Sequence, residues 1–165
     1  MRSLNRRRSI VVLMSVLVSP PAIAAALAQG SRPEPVSRVI EYEPGEACAF
    51  PVRVEVTGRE KVIFLPGDRL NIASPNLTVT FTNLDDPSLQ HTQIITGPVR
   101  VKFLENGDAR LVFTGIKFLE AFTPELPYLA LVVGHLELTL DVNGNFVEGP
   151  TGPAKVVDVC EVIGG

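Results

Sequence analysis

Tryptophan is absent from this 165-residue chain, and tyrosine, histidine and cysteine occur twice each. Each scarcity removes a class of function. With no Trp and only Tyr42 and Tyr128, the chain lacks the aromatic platforms that sugar-cleaving sites use. With His91 and His135 as the only histidines and no Cys-x-x-Cys pair, a zinc site lacks its ligands. There is no G-x-S-x-G elbow to present a serine nucleophile. No apolar run approaches the roughly 20 residues of a membrane-spanning helix. A run of Lys and Arg beyond the N-terminus is also missing, which argues against a nucleic-acid partner.

What the chain does have begins with three segments in export order. Arg2, Arg6, Arg7 and Arg8 form a positive start, Ile10–Val18 is apolar apart from Ser15, and Ala26-Leu27-Ala28 supplies small residues for cleavage. Residues 1–28 therefore read as a signal peptide and the chain as secreted or extracytoplasmic; an uncleaved anchor is the alternative. Arg7-Arg8-Ser9-Ile10-Val11 also matches the twin-arginine pattern, so the export route stays open between two systems. Losing residues 1–28 leaves 11 Lys+Arg against 18 Asp+Glu, a net charge of −7. That balance disfavours polyanions and anionic membrane surfaces.

Outside the cytoplasm, a lone pair of cysteines reads as a disulfide. Cys48 and Cys160 stand near opposite ends of the expected domain, so the bond is expected to be a terminal one. Residues 29–45, with Pro33, Pro35 and Pro44 among charges, read as a flexible tail ahead of a domain over 46–165.

Within the domain the apolar period is two. Residues 50–57 alternate Val with polar residues, Gly58–Lys61 reads as a turn, and 62–65 and 70–73 are short apolar runs. Leu77, Val79 and Phe81 alternate with Thr78, Thr80 and Thr82, so one face of that strand is apolar and the other carries threonine. Asn106-Gly107 joins 99–104 to 109–114, and Asn143-Gly144 follows the alternation of 136–142. Both are hairpin turns. Residues 155–162 read as a last strand. Eight to ten short strands without a long amphipathic helix predict an all-β fold, an antiparallel sandwich or, alternatively, a closed barrel.

Cys48-Ala49-Phe50-Pro51-Val52 opens the expected domain, Thr82-Asn83-Leu84-Asp85-Asp86-Pro87 stands in its middle, and Asp158-Val159-Cys160 closes it. On these motifs the stretch from Cys48 to Cys160 resembles a family of uncharacterised secreted β-rich proteins common in actinobacteria. The hairpin Asp141-Val142-Asn143-Gly144-Asn145 also fits. It implies export, a β-rich fold and a cystine, and transfers no catalytic residue.

Several constellations remain for chemistry. His91 and His135 are the candidate bases, and Asp158 the candidate inward-facing acid, needing Arg53, Lys155 or a backbone donor as partner. Asp85-Asp86 is a carboxylate pair that a loop before Pro87 explains as turn capping. Asp141-x-Asn143-x-Asn145 resembles the start of a calcium loop, but Phe146 occupies the glycine position and Gly152 the place of the bidentate Glu. No cofactor is expected from any of them. Gly115–Tyr128 reads as one long apolar connection, in which Phe118, Leu119, Phe122 and Tyr128 form either a plug on the sheet or a lid over an apolar pocket. The chain thus reads as a non-enzymatic β-domain that binds a surface partner or a small apolar ligand. The competing reading is a secreted enzyme with a dispersed site.

Overall fold

A computed structural model gives the structure of the protein, and residues 32–120 and 123–165 are described. The expected signal peptide, Gln29–Ser31 of the expected tail, and Phe122 lie outside the described residues. The rest is mostly β. In chain order the strands are β1 (Glu34–Tyr42), β2 (Val52–Leu65), β3 (Arg69–Ala73), β4 (Thr78–Asn83), β5 (Gln90–Ile94), β6 (Val99–Phe103), β7 (Ala109–Glu120), β8 (Leu129–Leu140), β9 (Phe146–Thr151) and β10 (Lys155–Asp158). One short helix, α1 (Val159–Ile163), follows. Neighbours run in the order β10-β8-β7-β6-β3-β2-β4-β5, with β1 beside β2 and β9 beside β8. Every pairing is antiparallel.

Residues 34–42, expected in the tail, are strand β1. It pairs along its whole length with β2, from Glu34 opposite Glu60 to Tyr42 opposite Val52. Val36, Arg38, Ile40 and Tyr42 turn inward while Val39 faces water. An arginine on the inner face, with Pro33 and Pro35 at the start and Pro44 just past the end, hides that alternation at the level of composition.

The expected turn at Gly58–Lys61 is absent, because β2 runs straight through it for 14 residues. Residues 52–57 lie between β1 and β4, and residues 61–65 pair with β3. Gly58 marks the change of partner. Its φ is +143°, and a Cβ there would come within 2.4 Å of the Asn76 carbonyl oxygen. Glycine here serves close backbone approach rather than a turn.

The expected Gly115–Tyr128 connection is likewise corrected, since β7 continues to Glu120. Gly115 has φ +81° and meets the backbone of Thr96, where the β5–β6 link crosses to β7. There the Thr96 N–H donates to the Ile116 carbonyl at 3.0 Å. Phe118 and Leu119, adjacent on a strand, point to opposite faces.

Those two faces carry the two apolar clusters. One gathers Tyr42, Val52, Val54, Val79, Phe81, Leu129, Leu131, Val159 and Ile163, with Phe118 packed against it. The other gathers Phe113, Leu119, Ala130, Val132, Leu136 and Leu138. Because both faces of β8 are covered over Leu129–Val132, its sequence there is a continuous apolar run rather than an alternation. Phe81 and Phe118 meet edge to face with centroids 5.1 Å apart. The threonine face of β4 is as expected: the Thr80 hydroxyl bonds the Thr92 hydroxyl on β5 at 3.0 Å.

Cys48 and Cys160 are bonded. The bond is not terminal, however, because β1 lies outside the loop it closes and pairs with β2 beyond its reach. Its other end sits in α1, where a strand was expected to continue to Val162. Asp158 stops that strand by accepting the Cys160 N–H at 2.8 Å, which makes it the helix N-cap. The Asn83 side-chain amide holds the far end, donating to the Ile163 carbonyl at 3.1 Å. Val159 and Ile163 are thereby pressed into the first cluster.

Two measurements check this account. Cys48→Ala combined with Cys160→Ala should lower unfolding free energy by about 4–5 kcal/mol, the loop-entropy value for a closed segment of this length, read by urea denaturation against the oxidised wild type. A double-mutant cycle of Phe81→Leu and Phe118→Leu should return a coupling of about 0.5–1.5 kcal/mol; additive losses would mean the rings do not interact.

Candidate functional site

The residues singled out in the sequence do not assemble into one centre. His91 lies on β5 opposite Phe81. His135 lies on β8, where its Nε2 is 2.9 Å from Glu137 Oε1. Asp158 is committed to the α1 cap, so its partner is a backbone donor and neither Arg53 nor Lys155. Arg53 bonds Glu41 instead, at 2.8 Å.

The carboxylates of the loops are also engaged. In the 83–88 loop, Asn83 rather than Asp85 does the capping: its Oδ1 accepts the Asp85 and Asp86 N–H groups at 3.0 and 3.3 Å. Asp86 in turn accepts from the Ser88 N–H and hydroxyl, which holds its carboxyl below the usual range. In the calcium-like loop, Asp141 accepts the Asn143 and Asn145 N–H groups, both at 2.8 Å, and the Asn145 amide at 2.9 Å. Its oxygens therefore build the hairpin turn. No group of three His, Cys, Asp or Glu with metal-holding geometry occurs among the described residues.

Phe118 belongs to the first cluster and Leu119 to the second. Tyr128, 40% exposed, meets Tyr42 edge to face at 5.7 Å. Beside that pair Arg38 bonds Glu120 at 3.0 Å, joining β1 to β7. Burial, then the Glu120 carboxylate, pushes the Tyr42 phenol upward. Lys117 is buried on β7 with its Nζ donating to the Gly97 carbonyl, and burial lowers its pKa.

A concave surface lies elsewhere among the described residues. It is a groove of about 550 Å3 lined by Leu65, Arg69, Asn71, Arg100, Val101, Lys102, Arg110, Val112 and Glu137. Strand alternation and register build it. Arg69 on β3 stands directly opposite Lys102 on β6, and Lys102 directly opposite Arg110 on β7. Arg100, two residues from Lys102, falls on the same face. Three cations thus run in line across three adjacent strands, about 10 Å from first to last at ordinary strand spacing. Like charges in directly opposed positions destabilise a sheet.

Only part of this charge is answered within the protein. Arg110 bonds Glu137 through Nε and Nη2, at 3.0 and 2.5 Å. Glu137 is held below the usual carboxylate range by the His135 bond and then by Arg110. Arg69 Nε donates to the Pro66 carbonyl at 3.0 Å. Arg100 and Lys102 have no ion-pair partner among the described residues. The groove therefore holds four cations and one carboxylate. Four of the 11 Lys+Arg of residues 29–165 are gathered there, in a segment whose net charge is −7.

Comparison with family models, curated proteins and solved structures finds no match to this chain. The groove is therefore read from its own chemistry. Sequence reasoning missed it because net charge averages over the molecule. The signal was nonetheless present in Val99-Arg100-Val101-Lys102-Phe103, an apolar–basic alternation that places two cations on one strand face.

If the ladder is strained by repulsion, Lys102→Glu should stabilise the fold, by roughly 0.2–1 kcal/mol for each opposed pair it converts; thermal denaturation at low salt measures this, and destabilisation would refute the repulsion. The turn at Asp141 gives a pH test. Its folded-state pKa lies below the ordinary 3.8, chiefly because the Asn145 amide donates to it. The stabilisation is complete above the ordinary value and is lost as pH falls through the folded one. Asp141→Asn should therefore remove part of the acid-induced loss of stability, and millimolar calcium should leave the wild-type melting temperature unmoved.

Proposed function

We propose that the protein is an extracytoplasmic, non-enzymatic β-domain that acts as a binding module, with the groove across β3, β6, β7 and β8 as its working surface. The observation that carries this reading is the cationic ladder Arg69–Lys102–Arg110, which weakens the sheet and finds its use in a bound partner. The alternative, a dispersed enzyme site, would draw on His91, His135 and Asp158. The last two are occupied by Glu137 and the α1 cap.

One further feature of the structure supports export: the Cys48–Cys160 bond fits an oxidising compartment. No helix among the described residues is long and apolar enough to cross a membrane. The Arg-rich start and Ala26-Leu27-Ala28 supply the expected signal, and the resemblance to secreted actinobacterial proteins points the same way.

The same reading takes the fold as a β-sandwich. In its favour, β1, β2 and β4 contribute Tyr42, Val54 and Phe81 to a cluster that β7 and β8 complete with Phe118 and Leu131. The strand order also ends openly at β10 and β5, which are not paired with each other among the described residues. A closed barrel would join its first and last strands.

Expression of the full chain in a bacterial host tests the reading. Intact mass should find the product outside the cytoplasm, starting at Gln29 and without free thiols. A cytoplasmic product that retains Arg2 and titrates with a thiol reagent would overturn it.

A further inference from the structure

We infer that the groove binds a compact oligophosphate, a ligand carrying two or three phosphoryl groups close together. This inference rests on the reading of the protein as a binding module and names its ligand class.

Charge selects an anion. Arg69, Arg100, Lys102 and Arg110 face one carboxylate, Glu137, which leaves a surplus of three positive charges in about 550 Å3. Arg100 and Lys102 are without ion-pair partners among the described residues. Arg110 is partly answered by Glu137, whose bonds to Nε and Nη2 fix the guanidinium and leave Nη1 uncommitted. Arg69 is steadied in the same way by Pro66. Two oriented guanidiniums and two unpartnered cations on rigid strands form a pre-arranged anion site.

Phosphate fits this arrangement better than carboxylate. A phosphoryl group carries roughly −1.5 to −2 charges and three strong acceptor oxygens. One group can therefore bridge cations on neighbouring strands, whereas a carboxylate neutralises one. Guanidiniums bind phosphate through paired N–H donors, and lysine adds a point charge. Two or three phosphoryl groups span the ladder of about 10 Å, and their charge meets or exceeds the surplus of three positive charges. Leu65 and Val112 share the face of the cations and lower the local polarity on one side of the groove, which strengthens the attraction.

The lining also argues against nucleic acid. It contains no aromatic side chain, so bases would find no stacking platform.

Calorimetric titration of the oxidised, purified protein tests the site, with sodium tripolyphosphate, pyrophosphate and orthophosphate as probes at low salt. Affinity should rise from ortho- to tripolyphosphate and fall with added salt. Arg100→Gln and Lys102→Glu should each weaken tripolyphosphate binding by roughly tenfold or more, as loss of a charge-assisted contact does. Lys102→Glu should lose binding without losing melting temperature, which separates a binding role from a folding one. Lys155→Gln, an exposed lysine on β10 outside the groove, should bind as wild type does. Absence of tripolyphosphate binding at millimolar concentration, or equal weakening in Lys155→Gln, would overturn the proposal. So would tighter binding of an oligothymidylate than of tripolyphosphate, since that would make the groove a nucleic-acid surface. A correctly exported and oxidised protein that ignores tripolyphosphate defeats the ligand assignment alone. Retention in the cytoplasm with free thiols defeats the reading of the protein as an extracytoplasmic module and leaves the ligand assignment to the titration.

Discussion

The sharing of β2 between two sets of neighbours is the constraint on which the rest of the structure depends. Its first half holds β1 on one side and β4 on the other, and its second half holds β3. The register of β3 then fixes β6, and that of β6 fixes β7. A one-residue slip anywhere in this series would turn every side chain to the opposite face. The cations that line the groove and the valines that fill the core are therefore set by the same hydrogen bonds. Gly58 makes the sharing sterically feasible, because a side chain there would strike the Asn76–Leu77 backbone.

The parts of the fold that were legible in the sequence are those governed by local chemistry. The Asn106-Gly107 and Asn143-Gly144 hairpins, the threonine face of β4 and the pairing of Cys48 with Cys160 each follow from a short stretch or a simple count. The parts that were misread turn on glycine and on inner-face charge. Gly58 and Gly115 look like punctuation in sequence, but both lie inside long strands where another backbone passes close by. Arg38 looks like a tail residue, and its partner Glu120 is 82 positions away. Asp158 looks like a strand residue because its role as a cap depends on the helix that follows it. The groove was least legible of all. Its cations come from positions 69, 100, 102 and 110, and only the register brings them into line.

Stability and the working surface pull in opposite directions here. The ladder sets like charges opposite one another where β3, β6 and β7 meet, and β2 leaves Val62, Ile63, Phe64 and Leu65 partly exposed at that end of the molecule. The opposite end is reinforced. There the disulfide, the Asp158 cap and the Asn83 bond converge on α1, and Val52, Val54, Val79 and Phe81 are fully buried. Each such side chain contributes about 1.5–3 kcal/mol. Concentrating the stabilising terms at one end lets the other carry a surface shaped by charge rather than by packing.

On the proposed binding role, an acidic protein with a basic groove would also discriminate by ligand size. Screening at physiological salt confines electrostatic influence to about 8 Å. A compact anion seated in the groove lies within reach of Arg69, Arg100, Lys102 and Arg110 and beyond most of the acidic surface. A long polyanion cannot stay so confined, because its flanking segments must lie over regions where Asp and Glu dominate. Glu105 and Asp108 lie in the turn joining β6 to β7, and Asp68 in the turn joining β2 to β3, so the groove is bounded by negative charge close to its mouth. Each segment added to the ligand past that boundary gains no cation and meets repulsion. The net charge of −7 over residues 29–165, which argues against polyanions in general, would on this arrangement be the means by which a small local site excludes them.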